Sequence, residues 1–198
     1  MLPLLFDVPP SYGRVFMIAM ALWVVPECVG AFRLRSADTA NRSDRGSYAV
    51  FVGGVVVGVA GAFACAGWLP QFAITSYRFA FYWTGIILMV SGIAFRWYAI
   101  RKLGRAFTQD VATTEDQVIV QDGPYRFIRH PTYAGTLLTI PGVGLVLANL
   151  VSIVLALAVG MAGMLYRINV EERVLLAVFG VDYEQYAERT KRLIPFVW

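Results

Sequence analysis

Gln121-Asp-Gly-Pro-Tyr-Arg-Phe-Ile-Arg-His-Pro-Thr-Tyr133 is a polar and aromatic segment in a chain that is otherwise dominated by apolar residues. Its Asp-Gly-Pro start predicts a tight turn, because glycine permits positive φ and proline fixes the next φ. Tyr125–Arg129 then fits one helical turn. Pro131 disfavours the helical conformation at His130 and is itself favoured at the first position of a helix, so we expect a new helix to begin here and to continue from Thr132.

The expected start of this helix has the features of an anion site. Free backbone N–H groups and the positive end of the helix dipole would lie next to His130. Arg126 and Arg129 add two positive charges in the same short segment. We therefore expect a carboxylate or a phosphate group to bind here.

The composition is that of an integral membrane protein. Of the 198 residues 58% are hydrophobic and only 15% are charged, and the mean hydropathy is +0.61. These values lie far from the average of soluble domains. The net charge of +4 does not indicate a nucleic-acid partner, because the basic residues cluster at the ends of apolar runs. The sequence contains no P-loop, HExxH or CxxC motif, so neither a soluble nucleotide-binding fold nor a metal site is expected.

Five apolar runs are long enough to cross about 30 Å of hydrocarbon. They are Val15–Phe32, Tyr48–Leu69, Phe79–Ile100, Thr132–Ala148 and Leu150–Tyr166. Because Asn149 alone separates the last two runs, we expect them to form a tight antiparallel hairpin. The predicted fold class is therefore an all-α integral membrane protein with about five transmembrane helices, in one domain that covers residues 1–198.

The basic residues predict an orientation in the membrane. With five spans, only Arg14 and Arg78 of the 17 lysine and arginine residues lie on one side, and the other fifteen lie on the opposite side. The positive-inside rule places the N-terminus outside and the C-terminus in the cytoplasm. The polar segments 101–130 and 167–198 then face the cytoplasm together.

The last polar segment carries its own helix signals. Arg167 ends the fifth run, a helix over Arg173–Phe179 should stop at Gly180, and Asp182 with Gln185 has the spacing of a capping box. The last helix carries Tyr183 and Tyr186 on one face and is ended by Pro195.

Three features inside the apolar runs have structural interpretations. Gly54-x-x-x-Gly58 predicts a helix contact through small residues. Arg96 lies near a cytoplasmic helix end, where its side chain either extends to the interface or meets a partner. Glu27 is expected to face protein rather than lipid.

Several motifs, taken in order, resemble the isoprenylcysteine carboxyl methyltransferase family. That family forms a wider group with the phospholipid N-methyltransferases. The matching residues are Gly123-x-Tyr125-x-x-x-Arg129-His-Pro-x-Tyr133, Arg167-Ile-x-x-Glu-Glu172, Phe179-Gly-x-x-Tyr183-x-x-Tyr186 and Arg192-x-x-Pro195. They lie within residues 96–198, whereas the first two apolar runs match only in hydropathy. In its layout of five helices the chain resembles the short prokaryotic members.

The resemblance implies an S-adenosylmethionine-dependent methyltransferase of the prokaryotic inner membrane. Its cytoplasmic cofactor pocket would be formed by segment 101–130, the last helix hairpin and the C-terminal helices. By resemblance the cofactor is lined by Gln117, Val118, Ile119, Val120, Tyr125, His130, Pro131, Thr132 and Tyr133. Glu171 would meet the α-amino group of the cofactor, and Arg167 would orient the carboxylate of the acceptor. The spacing of four places Arg167 and Glu171 on one helix face.

The identity of the acceptor remains open at this point. Arg167 favours a carboxylate on a lipophilic small molecule or on a lipid-modified acceptor within the membrane lipids. Gln117 stands where eukaryotic members usually carry histidine, which leaves the prenyl specificity undecided. The alternatives are a phospholipid amine, a thiol, or a non-catalytic membrane protein with the same fold.

Overall fold

The computed structural model of the protein describes residues 10–34, 46–104 and 119–195. Within these ranges the chain forms six α-helices and two short 3₁₀ turns, and it contains no β-strand beyond isolated bridges. The helices are α1 (Pro10–Leu34), α2 (Ser47–Trp68), α3 (Arg78–Leu103), α4 (Pro131–Val146), α5 (Leu150–Phe179) and α6 (Val181–Arg189). The two turns are Pro70–Phe72 and Gly123–Arg126.

Each of the five apolar runs forms a helix. In the part of the chain that the structure describes, three helices are long and apolar enough to cross a membrane, namely α2, α3 and α5. Helix α4 has only 16 residues, which at about 1.5 Å per residue reach about 24 Å. The all-α prediction is confirmed for the described residues, and the crossing of the membrane by α1 and α4 stays a prediction.

Helices α3 and α4 pack backbone against backbone through two pairs of glycines. A Cβ atom added to Gly92 would lie 2.5 Å from the carbonyl oxygen of Gly135, and one added to Gly85 would lie 2.6 Å from that of Gly142. No side chain fits at these positions unless the helices separate. The contact also holds the start of α4 against Arg96. A Cβ atom added to Gly135 would lie 2.7 Å from the Cβ atom of Arg96.

Helices α2 and α5 also meet through small residues. A Cβ atom on Gly54 would lie 3.1 Å from the carbonyl oxygen of Val159, and one on Gly58 would lie 3.2 Å from that of Ala156. The Gly54-x-x-x-Gly58 motif is therefore a helix contact, as predicted.

The α4–α5 hairpin is confirmed, and Asn149 organises it. Helix α4 ends at Val146, so the connection is Leu147–Asn149. The side chain of Asn149 caps α5 by accepting a hydrogen bond of 3.1 Å from the backbone N–H of Ser152. Its amide group also donates a 3.0 Å hydrogen bond to the carbonyl of Leu69. The connection is thereby fixed to the end of α2.

The C-terminal helices differ from the prediction. Helix α5 continues through Arg167 to Phe179, because no residue interrupts the helix until Gly180, which has a φ of +51°. Arg167 therefore lies inside a helix rather than at its end. The predicted capping box is also wrong: α6 begins at Val181, directly after Gly180, and no side chain caps it. Helix α6 ends at Arg189, well before Pro195.

The C-terminal residues pair with the segment that precedes α4. The N–H of Lys191 donates to the carbonyl of Phe127 at 3.0 Å, and the N–H groups of Arg129 and His130 donate to the carbonyls of Lys191 at 2.7 Å and Arg192 at 3.0 Å. The predicted helical turn over Tyr125–Arg129 is therefore wrong in its second half, because Ile128 forms a bridge with Lys191 and Arg129 pairs with the C-terminal residues. The helical turn is instead Gly123–Arg126.

Candidate active site

The start of α4 carries four consecutive buried residues. Pro131 is the first residue of the helix, as predicted, and His130 precedes it. His130, Thr132 and Tyr133 are 3%, 8% and 8% exposed. The tight contact between α3 and α4 and the pairing with the C-terminus fix this segment from both sides.

Tyr133, Arg167 and Glu171 form a hydrogen-bonded series between α4 and α5. Arg167 Nε donates to the hydroxyl of Tyr133 at 3.1 Å, and this hydroxyl donates to Glu171 Oε2 at 2.9 Å. Arg167 Nε also lies 4.0 Å from Glu171 Oε2, so the two residues share a helix face as their spacing predicts. The side chain of Arg167 is 2% exposed and that of Glu171 is 27% exposed. The series therefore leads from the buried guanidinium of Arg167 to the Glu171 carboxylate, which is partly exposed to solvent.

Arg167 has further partners on α2. Its Nη1 donates a 2.7 Å hydrogen bond to Ser47 Oγ. Its Cζ lies 5.7 Å from the centre of the Tyr48 ring, within the range of a cation–π contact. The cation inside α5 is thus surrounded by hydroxyl and aromatic groups, which compensate for its burial.

Glu172 is the shared partner of three basic side chains. Its Oε1 accepts a 3.0 Å hydrogen bond from Arg129 Nε and lies 3.3 Å from His130 Nε2, and its Oε2 lies 2.7 Å from Arg192 Nη2. Arg129 also donates to the carbonyls of Ala187 and Thr190. The expected anion site at the start of α4 therefore needs correction: Arg129 and His130 already bind a carboxylate of the chain itself.

Arg96 and Glu27 form a two-pronged ion pair between α3 and α1. The Nε–Oε1 distance is 2.5 Å and the Nη2–Oε2 distance is 2.9 Å. Arg96 Nη1 also donates to the carbonyl of Thr132 at 3.1 Å. Arg96 thus meets a partner rather than extending to the interface, and Glu27 faces protein as expected. Through Thr132, the pair helps to position the first turn of α4.

An apolar cavity of about 320 Å³ adjoins this ion pair. Its wall is formed mainly by α1 and α2 and includes Met20, Trp23, Phe51, Val52, Val55, Val56 and Val59, with Glu27, Arg96 and Thr136 as the polar lining residues. The Phe51 ring packs edge-on against the ring of Tyr133, with 5.3 Å between their centres. Phe51 therefore lines the cavity and also contacts Tyr133 of the Tyr133–Arg167–Glu171 series.

Three buried tyrosines lie between the Gly123–Arg126 turn and α6. The hydroxyl of Tyr186 donates to the carbonyl of Tyr125 at 2.8 Å, which joins the two elements. Burial, above all, raises the pKa of the Tyr125, Tyr183 and Tyr186 hydroxyls well above the usual value for tyrosine. All three are therefore neutral at physiological pH and act as hydrogen-bonding groups.

The structure brings most of the predicted site residues to one end of the α4–α5 hairpin. Tyr125, His130 and Tyr133 are buried there with Arg167, and Glu171 is half-buried beside them. Ile119 and Val120 are half-buried and precede the Gly123–Arg126 turn. Gln117 and Val118 lie outside the described residues. The side chains of Pro131 and Thr132 are buried, and Thr132 meets Arg96 through its carbonyl group.

Comparisons with known proteins find one family and several similar proteins. The sequence model of the isoprenylcysteine carboxyl methyltransferase (ICMT) family matches residues 85–177. The matched segment is just under half of the chain. The protein-S-isoprenylcysteine O-methyltransferase of Schizosaccharomyces pombe is 33% identical over 131 residues, which are 65% of this chain and 55% of the relative. Protein-S-isoprenylcysteine O-methyltransferase A of Arabidopsis thaliana is 37% identical over 115 residues, which are 57% of this chain and 58% of the relative.

A solved structure extends the similarity to the fold of nearly the whole chain. The structure of a eukaryotic intramembrane Ras methyltransferase, an isoprenylcysteine carboxyl methyltransferase, aligns with 96% of this chain and 70% of its own. The TM-score is 0.64 and the sequence identity is 22%. The chain spans little more than half the length of the curated relatives described above. Together with the three apolar helices, the match identifies an integral membrane protein of the ICMT fold.

Sequence reasoning missed the roles of Ser47 and Glu172. In the sequence Glu172 stands only as an acid beside Glu171, whereas in the structure it is the carboxylate partner of Arg129 and Arg192. Ser47 lies two residues after Arg45, and nothing in the sequence indicates a contact with Arg167. Such a contact depends on the packing of α2 against α5, which hydropathy does not specify.

Proposed function

We propose that the protein is an S-adenosylmethionine-dependent methyltransferase that methylates the carboxylate of a lipophilic acceptor in the membrane. The Tyr133–Arg167–Glu171 series carries this proposal. It places a buried cation beside an accessible carboxylate, within the segment that matches the ICMT family. The names of the similar proteins, which are O-methyltransferases, support the same reaction type.

The residues at the site fit the proposed cofactor. Glu171 offers a half-exposed carboxylate for an ammonium group, and a charge-assisted hydrogen bond of this kind is a strong contact. The buried Tyr125 hydroxyl has no partner among the described residues and can bind a polar atom of a ligand. S-adenosylmethionine, when bound, supplies an electrophilic methyl group. Ile119, Val120, His130 and Tyr133 would complete the lining, with Gln117, Val118, Pro131 and Thr132 as the other residues implied by resemblance.

Arg167 would orient the acceptor. A guanidinium group can bind a carboxylate through two parallel hydrogen bonds. A carboxylate is already a nucleophile at neutral pH, so the chain need not supply a general base. The contribution of the protein would then be alignment of the reacting groups and exclusion of water. The burial of Arg167, at 2% exposure, is consistent with a site closed to water.

The apolar cavity would hold the lipophilic part of the acceptor. It is lined mainly by apolar side chains, among them Phe51, whose ring packs against that of Tyr133. Val55→Trp should fill the cavity and raise the KM for a lipid-modified acceptor. Val57→Trp is the matched control, because Val57 lies on the same helix but is 62% exposed and does not line the cavity.

The proposal is tested by binding and by transfer. Isothermal titration should detect binding of S-adenosylmethionine to the purified protein in detergent. Transfer of a labelled methyl group should then occur to an S-prenylated cysteine with a free carboxylate, and the methyl ester of the same compound serves as the control. Transfer to phosphatidylethanolamine or to a lipophilic thiol instead would favour an amine or a thiol acceptor. Absence of both binding and transfer would favour a non-catalytic protein.

The site is proposed to face the cytoplasm. Fifteen of the 17 basic residues fall on the side of the membrane that carries segments 101–130 and 167–198, if all five helices cross. The pairing of Arg129 and His130 with residues 191–192 brings parts of these segments together and supports a common side.

A further inference from the structure

Among the residues that the structure describes, two buried hydroxyl groups in the electrostatic surroundings of Glu171 lack a hydrogen-bond partner. Tyr125 and Tyr183 are each 5% exposed. Among the described residues, theirs are the buried side-chain polar atoms without a hydrogen-bond partner. A buried tyrosine hydroxyl normally has a partner, and leaving one unpaired is unfavourable by about 1–3 kcal/mol. Two such groups at one site therefore indicate a binding partner other than the described residues.

The two hydroxyls come from different elements that the protein holds together. Tyr125 belongs to the Gly123–Arg126 turn and Tyr183 to α6. The hydrogen bond from Tyr186 to the carbonyl of Tyr125 joins these elements. The rings of Tyr183 and Tyr186 lie 6.1 Å apart, so Tyr183 is positioned by its neighbour on the same helix face.

Both hydroxyls lie within the electrostatic range of Glu171. After burial, the carboxylate of Glu171 contributes most to raising the pKa of Tyr125. For Tyr183, burial comes first, followed by Glu172, with a smaller contribution from Glu171. The unpaired hydroxyls therefore belong to the same surroundings as the carboxylate that the proposed function assigns to the cofactor.

We propose that Tyr183 is a cofactor-binding residue whose hydroxyl, like that of Tyr125, forms a hydrogen bond with a polar atom of the bound methyl donor. This inference rests on the proposed function. It gives a role to the tyrosine-containing motif of α6, which the sequence alone left without one. It also gives a function to the contact between α6 and the Gly123–Arg126 turn, since the helix would complete the cofactor site.

Tyr183→Phe tests the proposal, because it removes one oxygen atom and preserves the ring. In the protein without ligand, the melting temperature should be unchanged or higher, since an unpaired polar atom is lost. The Kd for S-adenosylmethionine, measured by isothermal titration, should rise about three- to tenfold, as expected for one neutral hydrogen bond. A purely structural hydroxyl would instead lower the melting temperature when it is removed. A weaker affinity without a loss of stability therefore indicates a role in binding.

Tyr82→Phe is the matched control. Tyr82 is also a buried tyrosine, but its hydroxyl donates to the carbonyl of Tyr12 at 2.6 Å. This variant should lower the melting temperature and leave the Kd for S-adenosylmethionine unchanged. Tyr82 lies 14 residues before Arg96 on α3, which places it about 21 Å along the helix from Arg96.

Each outcome distinguishes the inference from the function on which it rests. If the wild-type protein does not bind S-adenosylmethionine, the proposed function fails. If the wild type binds and Tyr183→Phe binds equally well, the function stands and the inference is overturned, since water alone then satisfies the hydroxyl. A loss of stability or of folding in Tyr183→Phe without ligand would also overturn it, because the hydroxyl would already have a partner.

Discussion

The hydroxyl of Tyr133 lies 2.9 Å from Glu171 Oε2 and donates a hydrogen bond to it. This contact joins the first turn of α4 to α5, four residues beyond Arg167. It fixes the position of the Glu171 carboxylate, although that side chain is 27% exposed. A carboxylate fixed in this way is suited to meet a ligand cation, because little side-chain freedom remains to be lost on binding.

Glu171→Gln should weaken the binding of S-adenosylmethionine. The substitution preserves the shape of the side chain and its contact with Tyr133, but removes the charge proposed to face the α-amino group. The loss of one charge-assisted hydrogen bond should reduce the binding free energy by roughly 1.5–3 kcal/mol, measured by isothermal titration. Glu184→Gln, on the exposed face of α6, is the control. An unchanged affinity would show that Glu171 is a solvated helix residue.

Glu172→Gln should lower the free energy of unfolding of the protein. The substitution leaves Arg129 and Arg192 without their carboxylate partner, while the side chain of Glu172 is only 14% exposed. Loss of hydrogen bonds to charged groups is expected to lower the free energy of unfolding by roughly 1.5–3 kcal/mol. Thermal unfolding in detergent measures the loss of stability. Glu188→Gln is the control, because Glu188 is an exposed residue of α6. Equal melting temperatures would mean that the backbone pairing with residues 191–192 suffices.

Gly92→Ala should separate α3 from α4. The added Cβ would lie 2.5 Å from the carbonyl oxygen of Gly135, which is backbone and cannot rotate away. Overpacking of this kind typically lowers stability by about 1–3 kcal/mol. Gly53→Ala is a matched control, because a Cβ there meets nothing within 4 Å and alanine favours a helix. A Gly92→Ala variant as stable as Gly53→Ala would contradict the close packing.

The elements that could be predicted from sequence were those set by local chemistry. Hydropathy indicated five helices, Pro131 indicated the start of α4, and Asn149 indicated the hairpin. Small-residue spacing indicated the contact that Gly54 and Gly58 make. Each of these depends on residues close together in the chain.

The elements that could not be predicted depend on contacts between distant segments. The pairing of Ile128 with Lys191 replaces the helical turn that the local sequence favours. Glu172 fills the anion site at the start of α4, because α5 continues as a helix beyond the apolar run. Hydropathy indicates where a lipid-facing surface ends, but not where a helix ends. The apolar run ends just before Arg167, so the sequence predicts a helix end there, although the helix continues to Phe179.

Cysteine labelling should reveal the orientation in the membrane. In a variant with Cys28 and Cys65 replaced by alanine, Ser76→Cys reports the α2–α3 connection and Gln185→Cys reports α6, and both positions are exposed. The distribution of basic residues predicts that a membrane-impermeant reagent applied from outside labels position 76 and not position 185. The reverse pattern would place the site outside the cytoplasm and remove the argument for a cytoplasmic cofactor.

Arg167→Ala should damage methyl transfer and leave S-adenosylmethionine binding nearly intact. The reason is that Glu171 keeps its hydrogen bond from Tyr133 when the guanidinium is removed, whereas an acceptor carboxylate loses its partner. Single-turnover transfer and isothermal titration separate the two effects, and the melting temperature reports the loss of the contacts with Ser47 and Tyr48.

Arg167→Lys should restore transfer only in part, because an ammonium group cannot form the planar two-pronged contact with a carboxylate. It keeps the positive charge inside α5, so it separates the effect of charge from that of geometry. If both variants abolish cofactor binding while they remain folded, Arg167 belongs to the cofactor site and the carboxylate assignment fails. If Arg167→Ala transfers the methyl group to an amine lipid at the wild-type rate, the acceptor is an amine, for which a neighbouring cation has no use.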